Sequence, residues 1–313
     1  MSVVLIIILV LLVAGLTACG IFCVKSISLP NVWDREHEFR VLRDDWGYDI
    51  EPFYSSVSDT VVPFKYKTSA GYTLKGEMIP AREDASFLDG RRRAVLLVHG
   101  YTCNRYTMMS YAEIYHRLGF DIAVYEHRFH GESDKLFCSM GYYESRDCVE
   151  IAEYVRGMLP QDAVWGIHGE SMGSATTMLA APNLGWMDFV CEDCGFTTLY
   201  KELVASIPYK ANLPPHPLAE AAIPVFKIWC GVPVSKVSPV DAVKKIKQPM
   251  LFVHGGIDMF VPTKMVYELY KNKPGNNKMI RIFEDVPHAK SVLMHHEEYY
   301  ELVRDFLKRF SLI

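Results

Sequence analysis

The stretch VWGIHGESMGSATTMLAA, Val164 to Ala181, decides the fold class. Val164 to His168 is a short apolar run, Gly169-Glu170-Ser171-Met172-Gly173 is a turn flanked by glycines, and Met172 to Ala181 has the composition of a helix. A strand, a sharp turn and a helix in this order are typical of a nucleophile elbow, in which small neighbours permit close approach and the serine hydroxyl is exposed at the helix N-terminus. The alternative is a glycine-rich turn in which Ser171 only caps the helix. We therefore predict Ser171 as a nucleophile.

Short apolar runs of the length that buried parallel strands require recur along the chain. They are Ala94 to Val98, Ile122 to Glu126, Val164 to His168, Phe189 to Cys191, Met250 to Val253 and Met279 to Phe283. Helix-forming stretches alternate with them: Arg105 to Leu118, Tyr142 to Met158, Met172 to Ala181, Thr263 to Lys271 and Ser291 to Phe310. Val61 to Thr68 and Tyr72 to Ile79 form a predicted antiparallel hairpin ahead of these strands. The pattern predicts an α/β protein with a doubly wound, mostly parallel sheet.

An acid and a histidine follow Ser171 at the ends of later predicted strands. Asp258 lies after the strand Met250 to Val253, and His288 lies after the strand Met279 to Phe283. Since a serine hydroxyl needs a base that a third group orients, this order predicts a Ser171, Asp258 and His288 triad. The alternatives that stay open are Asp193 as the acid, and His295 or His296 as the base.

The turn His99-Gly100-Tyr101 follows the strand Ala94 to Val98. In this position the backbone N–H of Tyr101 would lie beside that of Met172, and two such amides form an oxyanion hole. We predict these two donors, with a plain strand-ending turn at His99-Gly100 as the alternative.

With the elbow, the His-Gly turn, the acid and the base in this order, the chain resembles the α/β-hydrolase superfamily over essentially everything after residue 60. Glu126 to Ser133, His168 to Gly173 and Gln248 to His254 are similar to segments of bacterial hydrolases of the serine aminopeptidase-like and monoglyceride lipase-like groups, several of which have an N-terminal membrane segment. Phe129 stands where these relatives commonly have a small residue before His130. The resemblance implies an acyl-enzyme mechanism that needs no metal and no organic cofactor.

The N-terminus carries no charged residue from Val3 to Val24, a length sufficient to cross a hydrocarbon core about 30 Å thick. We predict a single-pass transmembrane helix and a location at the cell membrane. A cleaved signal peptide is disfavoured because no basic residue precedes Val3, and the same absence weighs against lipidation of Cys19 in Leu16-Thr17-Ala18-Cys19. Positive charges from Lys25 onward place the C-terminal side in the cytoplasm if counted literally, but the membrane side of the catalytic part stays open.

Residues 196–239 interrupt the alternation with seven prolines and without a clear strand, so we predict a cap over the site. The predicted domains are an anchor at 1–25, a spacer at 26–60, an α/β core at 61–195 and 240–313, and the cap at 196–239. Net charge is −4, which disfavours a nucleic-acid partner. Eight cysteines are scattered, and Cys191 and Cys194 lack a second pair at zinc spacing, so we expect core thiols and no metal.

These residues predict a serine hydrolase that cleaves a carboxylic ester, or a related acyl bond, of an apolar small-molecule substrate. Two alternatives stay open: a serine aminopeptidase or amidase of the same fold, and a non-catalytic binding protein that retains the fold. The sequence identifies no site for a peptide N-terminus and does not indicate the acyl preference.

Overall fold

The computed structural model describes residues 3–87 and 89–313, and eight strands lie within these ranges. They are β1 Val62–Lys67, β2 Thr73–Ile79, β3 Arg93–Val98, β4 Asp121–Tyr125, β5 Val164–Glu170, β6 Phe189–Asp193, β7 Met250–Gly255 and β8 Lys278–Phe283. The strands form one sheet in the order β1-β2-β4-β3-β5-β6-β7-β8. β2 pairs antiparallel with β1 and β4, and every other pairing is parallel. The predicted hairpin and mostly parallel sheet are confirmed.

The burial of each strand explains why its sequence reads as it does. β3 to β7 are buried at every position, and a strand covered on both faces needs a continuous apolar run. β1 at the edge alternates with exposed residues that include Pro63, Lys65 and Lys67. Proline and lysine on an edge strand discourage pairing with another chain.

Helices cover both faces of the sheet. They are α1 Val3–Ser28, α2 Arg35–Arg40, α3 Glu51–Val57, α4 Met109–Arg117, α5 Glu144–Arg156, α6 Met172–Ala180, α7 Leu199–Ala211, α8 Leu218–Cys230, α9 Pro239–Ala242, α10 Lys264–Asn272, α11 Ser291–Met294 and α12 His296–Arg309. The prediction of one helix from Ser291 to Phe310 is wrong in one respect, since His295, at φ −129° and ψ 49°, separates α11 from α12.

Alternate residues of β3 divide the core into two layers. Val95 and Leu97 pack with the layer of α4 and α12, whereas Leu96 and Val98 pack with the layer of α5, α6 and α10. This alternation follows from the opposite directions of successive side chains along a strand. The sheet is therefore packed on both faces, and the carboxyl ends of its parallel strands lie along one edge.

Residues 26–60, predicted as a spacer, pack against the core rather than extend away from it. Leu42, Ile50, Tyr54 and Val57 are buried in the layer of α4 and α12. Burial of four apolar side chains fixes this segment on the body of the molecule.

The segment between β6 and β7 contributes α7 and α8, which cover the carboxyl edge of the sheet. Phe196, Leu203 and Phe226 form a third apolar cluster there, together with Met172 at the start of α6. The same cluster includes Val24 of α1.

Helix α1 has two different halves. Large apolar side chains from Val3 to Val13 are exposed, while Gly20, Val24 and Ser28 are buried. A Cβ at Gly20 would lie 2.6 Å from the carbonyl oxygen of Ala221, so glycine permits close contact between α1 and α8. The long apolar helix expected from the sequence is present, and one face of its second half packs against α8.

Candidate active site

Ser171 lies in a strained turn between β5 and α6. Its φ of 55° and ψ of −116° are rare for a residue with a side chain. A Cβ at Gly169 would overlap the carbonyl of Gly173, and a Cβ at Gly173 would overlap the carbonyl of Val98. Glycine is therefore required at both positions, and the turn holds the Ser171 side chain at the edge of the sheet.

The structure brings Ser171, His288 and Asp258 together in one line. Ser171 Oγ lies 2.9 Å from His288 Nε2, and His288 Nδ1 lies 2.6 Å from Asp258 Oδ2. With the ring proton on Nδ1, His288 donates to Asp258 and its Nε2 accepts from the Ser171 hydroxyl. The three residues come from the ends of β5, β8 and β7, where open α/β sheets bind their ligands.

Asp258 is held as a carboxylate by donors on both oxygens. Oδ1 accepts from the backbone N–H of Phe260 at 2.9 Å and of Val261 at 2.8 Å, and Oδ2 lies 3.2 Å from His254 Nε2. Burial opposes ionisation, but hydrogen bonds from His254 and His288 outweigh it and lower the pKa of Asp258 to about 2. Asp258 is therefore charged at neutral pH and suited to orient His288.

His254 is a further residue of this site that is not among the residues predicted from the sequence. This buried side chain donates from Nε2 to the carbonyl of Val261 at 2.9 Å, beside Asp258. This hydrogen bond joins the end of β7 to Val261 and so closes the loop that contains Asp258. Its place at the end of β7, four residues before Asp258, is the signal that could have indicated it.

The alternative residues lie elsewhere. Asp193 is buried and accepts hydrogen bonds from Tyr111 at 3.0 Å and Tyr299 at 2.9 Å. His295 Nε2 lies 3.2 Å from Asp285 Oδ1, and His296 Nε2 lies 3.5 Å from Glu113 Oε2. These side chains make no hydrogen bond to Ser171.

The loop after β3 passes directly beside the elbow. A Cβ at Gly100 would lie 3.5 Å from Ser171 Cβ and 2.9 Å from Glu170 Oε1. Within residues 3–87 and 89–313, neither Tyr101 N–H nor Met172 N–H donates to a protein acceptor. Two free amides in the loops that flank Ser171 are what the predicted oxyanion hole requires.

Three buried histidines fix this loop to the one after β4. His99 Nδ1 donates to the carbonyl of Gly100 at 2.7 Å, and His99 Nε2 accepts from the N–H of His127 at 3.0 Å. His130 Nε2 accepts from the N–H of Thr102 at 3.3 Å. Burial lowers the pKa of His130 to about 4, so this ring stays neutral and can accept.

Phe129 occupies a left-handed conformation, with φ of 67°. A residue without a side chain adopts this conformation at no steric cost, which is the physical reason for a small residue at this position in the similar segments. The preceding Arg128 is paired with buried Asp147 at 2.7 Å. The ion pair between Arg128 and Asp147 therefore stabilises the turn despite the strained backbone of Phe129.

An apolar cavity of about 570 Å³ opens above Ser171. Met172 and Tyr101 lie at its base beside Ser171, and α7 provides the largest part of the cover, with Leu218 and Ala222 added by α8. Helix α1 forms a further wall with Ala18, Cys19, Phe22, Cys23, Ser26 and Ile27. The side chain of Tyr101 donates to the carbonyls of Ser26 at 3.0 Å and Ile27 at 3.1 Å, and this ties α1 to the oxyanion loop. The carboxyl group of Glu202 and the amine of Lys210 interrupt the apolar lining.

The cysteine pair at metal-like spacing lies outside this cavity. Cys191 and Cys194 are free and buried at the end of β6. Among the described residues, no group of three or more His, Cys, Asp or Glu side chains is arranged to hold a metal ion.

Comparison with known proteins identifies the fold. Residues 93–184 match the model of the α/β-hydrolase fold family. An uncharacterised protein of Bacillus subtilis (strain 168), YqkD, is 29% identical over 301 residues, which cover 95% of this chain and 94% of that protein. Together with the sheet order and the elbow, these matches show that the chain has the α/β-hydrolase fold.

Solved structures agree in fold at low identity. The esterase Pf2001 of Pyrococcus furiosus is 22% identical with a TM-score of 0.66, covering 82% of this chain and 95% of that one. The acylaminoacyl peptidase of Pyrococcus horikoshii is 18% identical with a TM-score of 0.61, covering 84% of this chain and 44% of that one. The activities named belong to those proteins, and at these identities the likeness establishes the fold.

Proposed function

We propose that this protein is a serine hydrolase that cleaves a carboxylic ester of an apolar acyl group. The observation that carries the proposal is the line from Ser171 through His288 to Asp258, at 2.9 and 2.6 Å, at the base of an apolar cavity. A serine that serves only as a helix cap has no need of a histidine and an ionised acid behind it.

The geometry supports a two-step acyl transfer. His288 Nε2 takes the proton of Ser171 Oγ as that oxygen attacks the ester carbonyl carbon, and Asp258 stabilises the imidazolium that forms. The amides of Tyr101 and Met172 bind the oxyanion, and His288 then protonates the departing alkoxide. A water molecule, deprotonated by His288, attacks the acyl carbon; the bond from this carbon to Ser171 Oγ breaks, His288 returns the proton to Ser171 Oγ, and the acid is released.

The cavity supports an apolar acyl group as substrate. Each methylene buried there contributes about 0.8 kcal/mol. The activity should therefore increase with acyl chain length until the chain exceeds the cavity.

We further propose that α1 anchors the protein in a membrane. Its length and apolar composition are those of a membrane span, and the exposed half from Val3 to Val13 can enter the bilayer while the other half stays packed on α8. The second half argues against removal as a signal sequence, because cleavage would remove a wall of the cavity and the partners of Tyr101. A lipid-derived acyl substrate fits an enzyme held in this way.

Fluorophosphonate labelling of the full-length protein in detergent tests the hydrolase. We expect rapid covalent labelling that is abolished in Ser171→Ala, with circular dichroism reporting that the variant remains folded. No labelling of the folded protein, or labelling that survives in Ser171→Ala, would contradict the proposal and favour a binding protein with this fold.

A further inference from the structure

Glu202 is a buried acid in the apolar cavity above Ser171. It lies on α7 with 3% of its surface exposed. Its side chain makes no hydrogen bond or ion pair with any described residue, and Oε2 is fully enclosed. A carboxyl group in this position is costly to bury, and a leucine or methionine would line an acyl cavity at no such cost.

The charged groups around Glu202 leave it unpaired. Lys210 lies further along α7, but its ammonium group packs over the rings of Tyr101 at 5.1 Å and Phe260 at 4.9 Å. Asp258, the other charged group that acts on Glu202, repels it. Burial and this repulsion raise the pKa of Glu202 well above its usual value. Glu202 is thus a free hydrogen-bonding group in the same cavity as Ser171.

We propose that Glu202 is a specificity-determining residue that pairs with a hydrogen-bond donor of the substrate, either a hydroxyl or an amino group. This inference rests on the proposed hydrolase function and narrows its substrate class to acyl compounds that carry such a donor besides their apolar chain. A few polar groups in an otherwise apolar pocket commonly fix the orientation of the ligand.

Two sources can supply the donor. One is a hydroxyl of a polyol leaving group, as in a monoacylglycerol, and the other is the α-amino group of an aminoacyl compound. A neutral hydroxyl pairs with a carboxyl or with an amide, whereas an ammonium group requires the charge of a carboxylate. The two sources therefore respond differently to Glu202→Gln.

Two matched pairs of substrates separate the donor from the acyl chain. The hydroxyl pair is 1-octanoylglycerol and propyl octanoate, and the amine pair is leucine p-nitrophenyl ester and p-nitrophenyl 4-methylpentanoate. With the full-length protein in detergent micelles, we expect wild type to favour the donor-bearing member of one pair by about tenfold or more in kcat/KM.

The variants assign that preference to Glu202. Glu202→Leu should bring the ratio close to one, whereas Glu202→Gln should preserve a preference for hydroxyl and abolish one for amine. Glu220→Gln is the matched control, because Glu220 is an exposed carboxylate of the neighbouring cap helix, bound to Tyr200 at 2.7 Å, and should leave both ratios unchanged.

Two results would overturn the inference. One is that wild type shows no preference in either pair. The other is that Glu202→Leu keeps the wild-type ratio because both members of a pair change by the same factor, as they would for a purely structural residue. Fluorophosphonate labelling of the same samples distinguishes these results from failure of the hydrolase proposal, because labelling of Ser171 does not depend on a donor.

Discussion

Asp258, at the carboxyl edge of the sheet, and Glu202, in the cap above it, are buried to the same degree but differ in their hydrogen-bond partners. In the loops, Asp258 has donors on both carboxylate oxygens. In the cap, Glu202 is equally buried and has none. The difference indicates two roles. The hydrogen-bonded carboxylate of Asp258 is held rigidly for chemistry, whereas the unpaired carboxyl group of Glu202 is available to the substrate.

The largest effect should follow removal of the proposed nucleophile. Ser171→Ala eliminates the oxygen that attacks the carbonyl, and we expect kcat to fall on the order of 10⁶-fold. Ester turnover in a purified, folded sample measures the loss. The control is Ser206→Ala, which removes a hydroxyl from the cap side of the same cavity and should retain turnover.

Asp258→Asn should lower kcat by about 10⁴-fold, because the amide no longer orients and stabilises the protonated His288. Asp285→Asn is the matched control, since this exposed carboxylate lies near His288 in sequence and pairs with His295. Near-wild-type turnover of Asp258→Asn would contradict the assignment of Asp258 as the acid.

Gly100→Ala tests the oxyanion loop. The new Cβ would lie 2.9 Å from Glu170 Oε1, so the loop must shift beside Ser171. Misplacement of one amide donor should reduce kcat by about 10²-fold to 10³-fold. Gly185→Ala places a methyl group in open space and should have no effect, and equal kinetics for the two variants would remove the loop from the mechanism.

The smallest effect should come from the wall that α1 adds to the cap. The sequence alone predicts that deletion of residues 1–25 releases a soluble, active protein, and the structure adds that this deletion opens the cavity. We expect the truncated protein to retain activity on short esters and to lose its preference for longer acyl chains. The kcat/KM should fall by up to about fourfold for each methylene that the wall no longer covers.

Deletion of residues 1–14 is the control for that truncation, because it removes exposed apolar residues and keeps the wall. A chain-length profile that is the same for both truncations would show that α1 has no part in substrate binding.

The parts of the fold that the sequence predicts are those encoded locally. β3 to β7 are buried on both faces, so each appears as a short apolar run, and the turns after β5, β7 and β8 place Ser171, Asp258 and His288 at one edge. The parts that it does not predict depend on contacts between distant residues. Tyr101 meets Ser26 across 75 positions, and nothing near Tyr101 in sequence indicates this.

Glu202 shows the same limit in the cap. In the sequence of α7 it reads as an ordinary polar residue of an amphipathic helix, facing solvent. Its burial follows only from the placement of α7 over Ser171, with α1 and α8 alongside. The sequence therefore predicts the chemistry from local motifs, whereas the proposed specificity depends on contacts between distant segments.

Trapping of the acyl-enzyme tests the central claim most directly. Full-length protein mixed with p-nitrophenyl octanoate and quenched in acid before one turnover is complete should gain the mass of one octanoyl group, and peptide mapping should locate it on Ser171. An octanoyl group on another residue, or hydrolysis that continues undiminished in Ser171→Ala, would contradict the account.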